Sequence, residues 1–250
     1  MFVDCDERSE NFGLPVPATQ LRQATAEEDY ARFKFQTYPV EDTFGFANSL
    51  KKSSDKGERD LMNFKKGTTT LAFRFQGGVI VAVDSRASQG SFASDEHVRK
   101  IIEIDDKLLG TMAGGAADCQ FWLAYLGNYC RLYKLQNGEA LTVDAASKFF
   151  ANLTYRYRGS GLVIGSMIAG SDHEGTKLYY HDNDGNRVRG DLFSVGSGST
   201  YAYGVLDTYY RWDLTVDQAV ELGKRAISEA TYHDSGSGGC ARGKPLFLSP

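Results

Sequence analysis

The residue that could carry chemistry most directly is Thr68, the first of three threonines that follow Gly67. If the chain is cut at the Gly67–Thr68 bond, Thr68 becomes an N-terminus with a hydroxyl nucleophile and a free α-amine on one residue. The pKa of an α-amine is about 7.7–8.0, against about 10.4 for lysine, so the amine is the better base at neutral pH. Threonines are also good strand formers, and these residues alone leave that alternative open.

Two ionisable residues, Asp84 and Lys100, fall in predicted strands that are otherwise apolar. Burying a charge is costly unless it is paired. A buried Asp–Lys pair beside Thr68 would supply a fixed positive charge, which lowers the pKa of the α-amine and assists loss of the hydroxyl proton. The alternatives are a structural ion pair or two unrelated surface charges.

Two further segments could take part in chemistry. Gly114 follows a predicted strand and precedes a predicted helix, so its backbone N–H could donate to a developing oxyanion, unless it is an ordinary turn. The triplet Asp234-Ser235-Gly236 also occurs in aspartic proteases, which need two such carboxylates sharing a proton. The chain has one copy, so a polar loop after a helix is the alternative, unless the protein dimerises through it.

The elements that must position these residues alternate between strand-rich and helical blocks. The patterning predicts strands over 69–75, 79–85, 98–104, 108–113, 162–169, 177–181 and 191–195. It predicts helices over 116–135, 143–157, 200–210 and 215–232, with Thr142 as an N-cap and a capping box at Thr215 and Gln218. The expected fold class is mixed α/β (α+β), a four-layer αββα sandwich of two antiparallel sheets flanked by helices.

Composition narrows the classes of function. The chain has 250 residues, of which 42% are hydrophobic and 24% charged, as in ordinary globular proteins. Its net charge of −4 and the lack of a basic stripe argue against a nucleic-acid partner. No apolar run is long enough for a membrane span, and no spacing of cysteines and histidines suggests a metal.

Residues 1–66 differ from the rest, because they are polar and irregular in pattern and contain the charged run 51–60. This composition predicts a leader, weakly ordered when isolated, that ends at Gly67. The alternative is a surface arm that stays attached. The expected organisation is therefore a propeptide over 1–67 and a catalytic domain over 68–250.

Together these residues closely resemble the proteasome β subunits, which are N-terminal-nucleophile hydrolases. The resemblance extends from Gly67 to about Cys240. Its markers, in order, are Gly67-Thr68-Thr69-Thr70, Val83-Asp84-Ser85-Arg86-Ala87, Lys100, the string from Met112 to Cys119, the string from Ser194 to Ser199, and the loop from Asp234 to Gly239.

The resemblance implies a role for each candidate residue. It makes Thr68 the nucleophile and base, Lys100 the group that tunes it, and Asp84 the group that orients Lys100. It also implies a supporting network of Ser197, Asp234 and Ser237, and an oxyanion donor at the Gly114 N–H. Autocatalytic cleavage between Gly67 and Thr68 would generate the active form, which would hydrolyse peptide bonds through an ester on Thr68 without a cofactor.

The resemblance also implies a substrate preference. The string from Met112 to Cys119 is similar to that of the chymotrypsin-like, β type-5 class, which cuts after hydrophobic residues. Met is flexible and apolar and can adapt to a large hydrophobic side chain. The uncharged pocket would be lined by Met112, Ala87, Val98, Ala116 and Cys119. Ser88 stands where the family usually has Thr, which keeps the hydroxyl.

By the same resemblance, the partners would be other proteasome α and β subunits in a stacked four-ring core, and the substrates unfolded polypeptides. The location would be the cytoplasm and nucleus. After Gly239 the chain departs from the family pattern. By the resemblance about two strands would be missing there, which would leave an unpaired edge on the Thr68 sheet. The alternatives are a non-catalytic assembly subunit, inactivated by that short C-terminus, and a free-standing amidohydrolase.

Overall fold

The computed structural model describes residues 2–4, 67–89 and 92–247. Residues 5–66, which make up most of the predicted leader, lie outside the described residues, so the expectation that the leader is irregular stays a prediction. Within the described ranges the chain forms thirteen strands and four helices.

The strands, in chain order, are β1 (Phe2–Asp4), β2 (Thr69–Phe75), β3 (Gly78–Val83), β4 (Ala87–Gln89), β5 (Phe92–Asp95), β6 (Ile101–Asp105), β7 (Leu108–Thr111), β8 (Ala113–Gly114), β9 (Ile164–Asp172), β10 (Gly175–Asp182), β11 (Arg187–Arg189), β12 (Leu192–Gly196) and β13 (Ala241–Phe247). The helices are α1 (Ala116–Asn137), α2 (Val143–Arg156), α3 (Ser199–Tyr209) and α4 (Val216–His233).

The strands form two main antiparallel sheets and a small hairpin. The first sheet has the order β1-β13-β3-β2-β12, and the second has the order β11-β10-β9-β7-β6, with β8 also paired to β9. The hairpin consists of β4 and β5. Because β2 lies between β3 and β12, the segments that precede β2 and follow β3 meet at one end of the first sheet.

Three apolar clusters show how the layers pack. One lies between the first sheet and helices α3 and α4, and includes Leu71, Phe73 and Ile227. A second lies between the two sheets and contains Val81 and Met167, which are fully buried. The third fills the space between the second sheet and helices α1 and α2. The predicted four-layer αββα sandwich is therefore confirmed, with burial of apolar side chains in each interlayer space as its main stabilisation.

The helix ends follow the predicted local chemistry. The Thr142 side chain accepts a hydrogen bond from the Ala145 N–H and caps α2. Thr215 and Gln218 form the reciprocal capping box of α4. Such caps satisfy backbone N–H groups that have no partner inside the helix, and each typically stabilises a helix by about 1 kcal/mol.

Two expectations need correction. Lys100 lies directly before β6 rather than inside a strand, although its carbonyl still accepts a hydrogen bond from the Met112 N–H at 2.9 Å. The second correction concerns the unpaired edge expected on the Thr68 sheet after Gly239, because a strand does form there. The segment Ala241–Phe247 forms β13, which pairs with β3 along its length, and β1 pairs with the other side of β13.

Candidate active site

The Thr68 side chain lies at the end of the first sheet where β2 begins, and the residue is 9% exposed. Its Oγ1 accepts a hydrogen bond from the Lys100 Nζ at 2.8 Å. Its backbone N–H donates to the Ser197 Oγ at 3.1 Å, across from the end of β12. At the start of β2, the Thr68 hydroxyl thus contacts Lys100 and the Thr68 backbone nitrogen contacts Ser197.

The Lys100 ammonium is held in a buried ion pair. Its Nζ lies 2.6 Å from the Asp84 Oδ1, and the two residues are 2% and 0% exposed. Backbone N–H groups of Thr69, Gly238 and Arg86 donate to the same carboxylate at 2.9, 3.0 and 3.3 Å. These donors replace the water that burial removes from the carboxylate.

Burial lowers the pKa of Lys100, and the charge and hydrogen bond of Asp84 offset this only in part. The ammonium therefore gives up its proton more readily than a surface lysine does. Asp84 is its charge partner, and the role of Asp84 in orienting the ammonium toward Thr68 stays a prediction.

A second polar cluster lies on the other side of Thr68, around Asp234. The hydroxyls of Ser197 and Ser237 each donate to the Asp234 Oδ2 at 2.6 Å. Since Ser237 gives its proton to Asp234, the Thr69 hydroxyl is the donor in the 2.7 Å contact between Thr69 Oγ1 and Ser237 Oγ. Burial raises the pKa of Asp234, but the hydrogen bonds from the two serines outweigh it and the pKa is lowered.

Gly67 fits closely between two loops. A Cβ placed on Gly67 would lie 2.2 Å from the Gly236 Cα, so no larger residue fits without a shift of backbone. The Gly67 N–H donates to the Ser88 Oγ at 2.6 Å. Ser88 and Ala87, both half-buried, lie in β4. These contacts fix the residue on the N-terminal side of the predicted cleavage point.

Gly114 lies in β8, one residue before the N-cap of α1. Its φ of +100° is strained for other residues, and an added Cβ would lie 2.7 Å from the Val163 carbonyl oxygen. The backbone here therefore requires glycine. The role of the Gly114 N–H as an oxyanion donor stays a prediction.

Of the residues predicted to line the substrate pocket, Met112 and Cys119 are buried in the cluster between the second sheet and α1, with Val98 packed against it. The Cys119 thiol donates to the Ala113 carbonyl at 3.3 Å, and burial raises its pKa to about 11. Ala116 is exposed at the start of α1. The side chains of Met112, Val98 and Cys119 thus share one apolar environment, and their contact with substrate stays a prediction.

Sequence reasoning missed two contributors to this site. Thr69 extends the Asp234 cluster, and Arg86 donates to the backbone carbonyls of Ser235 and Ser237 at 3.4 and 3.3 Å. Arg86 thereby fixes the loop that carries Ser237. Its position two residues after Asp84 was a usable signal, whereas nothing in the sequence pairs Thr69 with Ser237.

Among residues 2–4, 67–89 and 92–247, no group of three or more histidine, cysteine, aspartate or glutamate side chains is arranged to hold a metal ion. In the same part of the chain, none of the helices combines the length and apolar character of a membrane span.

Comparison with known proteins gives the family of the chain. The family model described as proteasome subunit matches residues 64–242. The chain belongs to the proteasome subunit family. It is 52% identical over 213 residues to the probable proteasome subunit beta type-5 of Schizosaccharomyces pombe, a match covering 85% of this chain and 78% of that protein.

Relatives from other kingdoms carry similar names. The chain is 58% identical to the proteasome subunit beta type-5-A of Arabidopsis thaliana, over 74% of this chain and 68% of that protein. It is 56% identical to the human proteasome subunit beta type-8, over 73% of this chain and 67% of that protein. The predicted resemblance to proteasome β subunits of the type-5 class is confirmed.

Proposed function

We propose that this proteasome subunit is made as a precursor, that Thr68 cuts the Gly67–Thr68 bond, and that the freed Thr68 then hydrolyses peptide bonds. Two of its relatives are named proteasome subunit beta type-5, and this is the class whose chymotrypsin-like activity the sequence resemblance implies. The observation that carries the proposal is the buried Lys100 ammonium, 2.8 Å from the Thr68 Oγ1 and paired with Asp84.

Self-cleavage is an acyl shift from nitrogen to oxygen. The Thr68 Oγ adds to the carbonyl carbon of Gly67, the C–N bond breaks, and the hydroxyl proton ends on the nitrogen. The product is an ester of Gly67 on the Thr68 oxygen, with a free α-amine on the same residue. Water then hydrolyses the ester, releases the leader as a carboxylate and restores the hydroxyl.

Substrate hydrolysis repeats these steps with the amine as base. The α-amine accepts the hydroxyl proton while the oxygen attacks the substrate carbonyl, and the proton then passes to the departing amine. Water hydrolyses the resulting ester. In this proposal the Ser197 Oγ, now 3.1 Å from the Thr68 nitrogen, holds the amine toward the hydroxyl, and the Asp234 cluster fixes Ser197.

Lys100 serves both reactions by electrostatics. A cation that touches the Oγ1 stabilises the negative charge that develops on this oxygen as its proton leaves. The same charge disfavours a second cation nearby, so the new α-amine is held in its neutral, basic form. The Gly114 N–H is the proposed donor to the oxyanion of the substrate carbonyl.

The proposed substrates are unfolded polypeptides, cut after hydrophobic residues that enter the pocket near Met112. The proposed setting is a four-ring particle with other α and β subunits, in the cytoplasm and nucleus, with residues 1–67 as the propeptide. The alternative was an assembly subunit made inert by a short C-terminus. Against it, the segment Ala241–Phe247 forms β13, which pairs with β3 along its length.

Two substitutions at Thr68 test the proposal. In assembled particles, Thr68→Ser keeps a hydroxyl and an α-amine and is expected to remove the leader and cleave a hydrophobic peptide substrate. Thr68→Ala is expected to retain the leader and show no turnover at this subunit. Mass spectrometry reports the N-terminus. A Thr68→Ala particle with full turnover would refute the proposal.

A further inference from the structure

Two serine hydroxyls accept hydrogen bonds at the cleavage point, one from the scissile amide itself and one from the amide that precedes it. The Gly67 N–H donates to the Ser88 Oγ at 2.6 Å, and the Thr68 N–H donates to the Ser197 Oγ at 3.1 Å. The Gly67 carbonyl, which is the group under attack, lies between these two nitrogens in the chain. Ser88 belongs to the β4–β5 hairpin, whereas Ser197 follows β12, so the two anchors come from separate parts of the fold.

A steric contact restricts the same residue further. Cβ atoms built on Gly67 and on Gly236 would lie 2.2 Å from the Gly236 Cα and 2.6 Å from the Gly67 Cα, respectively. Real Cβ atoms essentially never come so close, so both positions must be glycine for the backbones to touch. With its nitrogen bonded, its Cα in contact and the Thr68 nitrogen held by Ser197, Gly67 keeps little conformational freedom.

We propose that Ser88 and Gly236 position Gly67 for self-cleavage. Ser88 accepts a hydrogen bond from the Gly67 N–H, and Gly236 contacts the Gly67 backbone. This proposal depends on the self-cleavage described above. Fixing the reacting groups in one geometry replaces a search through conformations, and a misplacement of about 1 Å can cost a factor of 10² in rate. Ser88 is a positioning residue in this role, because it touches the amide beside the scissile carbonyl and not the carbonyl itself.

The size of the effect follows from the contacts. Ser88→Ala removes one neutral hydrogen bond and is expected to slow leader removal by about 2- to 12-fold. Ser88→Thr keeps a hydroxyl and is expected to restore most of the rate. Gly236→Ala puts a methyl group where the Gly67 Cα lies and is expected to slow leader removal by more than about 100-fold.

The experiment follows leader removal by intact mass in the full-length chain after incorporation into particles, with assembled particles separated on native gels first. The matched control is Ser94→Ala, because Ser94 lies in the same hairpin and its hydroxyl donates to the Ala87 carbonyl at 3.0 Å, not to Gly67. Loss of that hydroxyl is expected to leave the rate of leader removal unchanged.

Slow leader removal in Ser88→Ala, with normal rates in Ser88→Thr and Ser94→Ala, would support the proposal. It would be overturned by a normal rate in Ser88→Ala, by an equal delay in Ser94→Ala, or by failure of Ser88→Thr to recover. A Thr68→Ala chain that still loses its leader would instead contradict self-cleavage itself, since another protease would then make the cut.

Discussion

Replacing Lys100 with methionine removes the cation from the site while keeping a similar side-chain length. Methionine cannot donate to the Thr68 Oγ1, and it leaves Asp84 without its charge partner. The three backbone N–H groups that donate to Asp84 remain, so the carboxylate keeps polar partners and the fold is expected to survive.

The expected loss of activity can be worked out from the geometry. Unit charges 2.8 Å apart, the distance from the Lys100 Nζ to the Thr68 Oγ1, attract by about 6 kcal/mol at an effective dielectric constant of about 20. Each 1.36 kcal/mol is a factor of about ten in rate, so full loss of this term corresponds to about 10⁴-fold. Because the oxygen carries only part of a charge in the transition state, we expect kcat to fall by about 10³- to 10⁴-fold.

The assay compares Lys100→Met with Lys177→Met, which removes a different buried lysine. Lys177 is also 2% exposed, and its Nζ pairs with Asp144 in α2, Asp172 in β9 and Glu174 in the turn after β9. Breaking the buried Lys100–Asp84 pair costs about 3–5 kcal/mol of stability. Loss of Lys177 costs less, because Asp144 and Glu174 are 39% and 61% exposed and solvent screens their charges. Both variants are therefore expected to unfold at lower urea concentration, but only Lys100→Met should lose peptide hydrolysis and leader removal.

The comparison separates catalysis from folding. Turnover of an assembled Lys100→Met particle within about tenfold of the unsubstituted particle would refute the electrostatic role, since at least about 10³-fold is expected from the charge. Equal losses of turnover in the two variants would show that the loss follows from destabilisation.

Three other predictions concern single residues. Burial lowers the pKa of His181 to about 3, so below about pH 6.5 only the unfolded chain takes up this proton. The free energy of unfolding, measured in urea, should therefore fall by about 2 kcal/mol between neutral pH and pH 5, and His181→Gln should reduce this fall. Because burial raises the pKa of Cys119 to about 11 and the residue is fully buried, iodoacetamide at pH 7.5 should modify it only after unfolding, as peptide mass mapping would show. Gly198→Ala should lower turnover by more than about tenfold, because the new Cβ would lie 2.1 Å from the Thr69 Oγ1. Gly204→Ala is the control, since a Cβ there would have no atom within 4 Å, and equal activities of the two variants would contradict the packing argument.

Much of the fold follows from local patterns. The helix caps at Thr142 and Thr215 and the apolar strand of 79–83 are read from a few neighbouring residues, and the structure has them. The pairing of Asp84 with Lys100 could also be anticipated, because an ionisable residue within an apolar segment needs a partner of opposite charge.

Other features depend on contacts that local sequence does not encode. The segment Ala241–Phe247 contains glycine, proline and two basic residues, so it lacks the alternation of a strand, yet β3 provides the partner that makes it one. Pro245 is tolerated there because it lies beyond the part of β13 that β1 pairs. Similarly, Thr69 and Ser237 are 168 residues apart and meet only once the first sheet and the loop after α4 are in place.

The most direct test asks which atom carries the acyl group during turnover. Assembled particles would be mixed with a peptide ester whose acyl group is hydrolysed slowly, quenched in acid and digested for mass spectrometry. We predict an acyl group on Thr68 in a peptide that begins at this residue. An acyl group on any other residue of this chain, or full turnover by a chain that still carries residues before Thr68, would contradict a terminal threonine as both nucleophile and base.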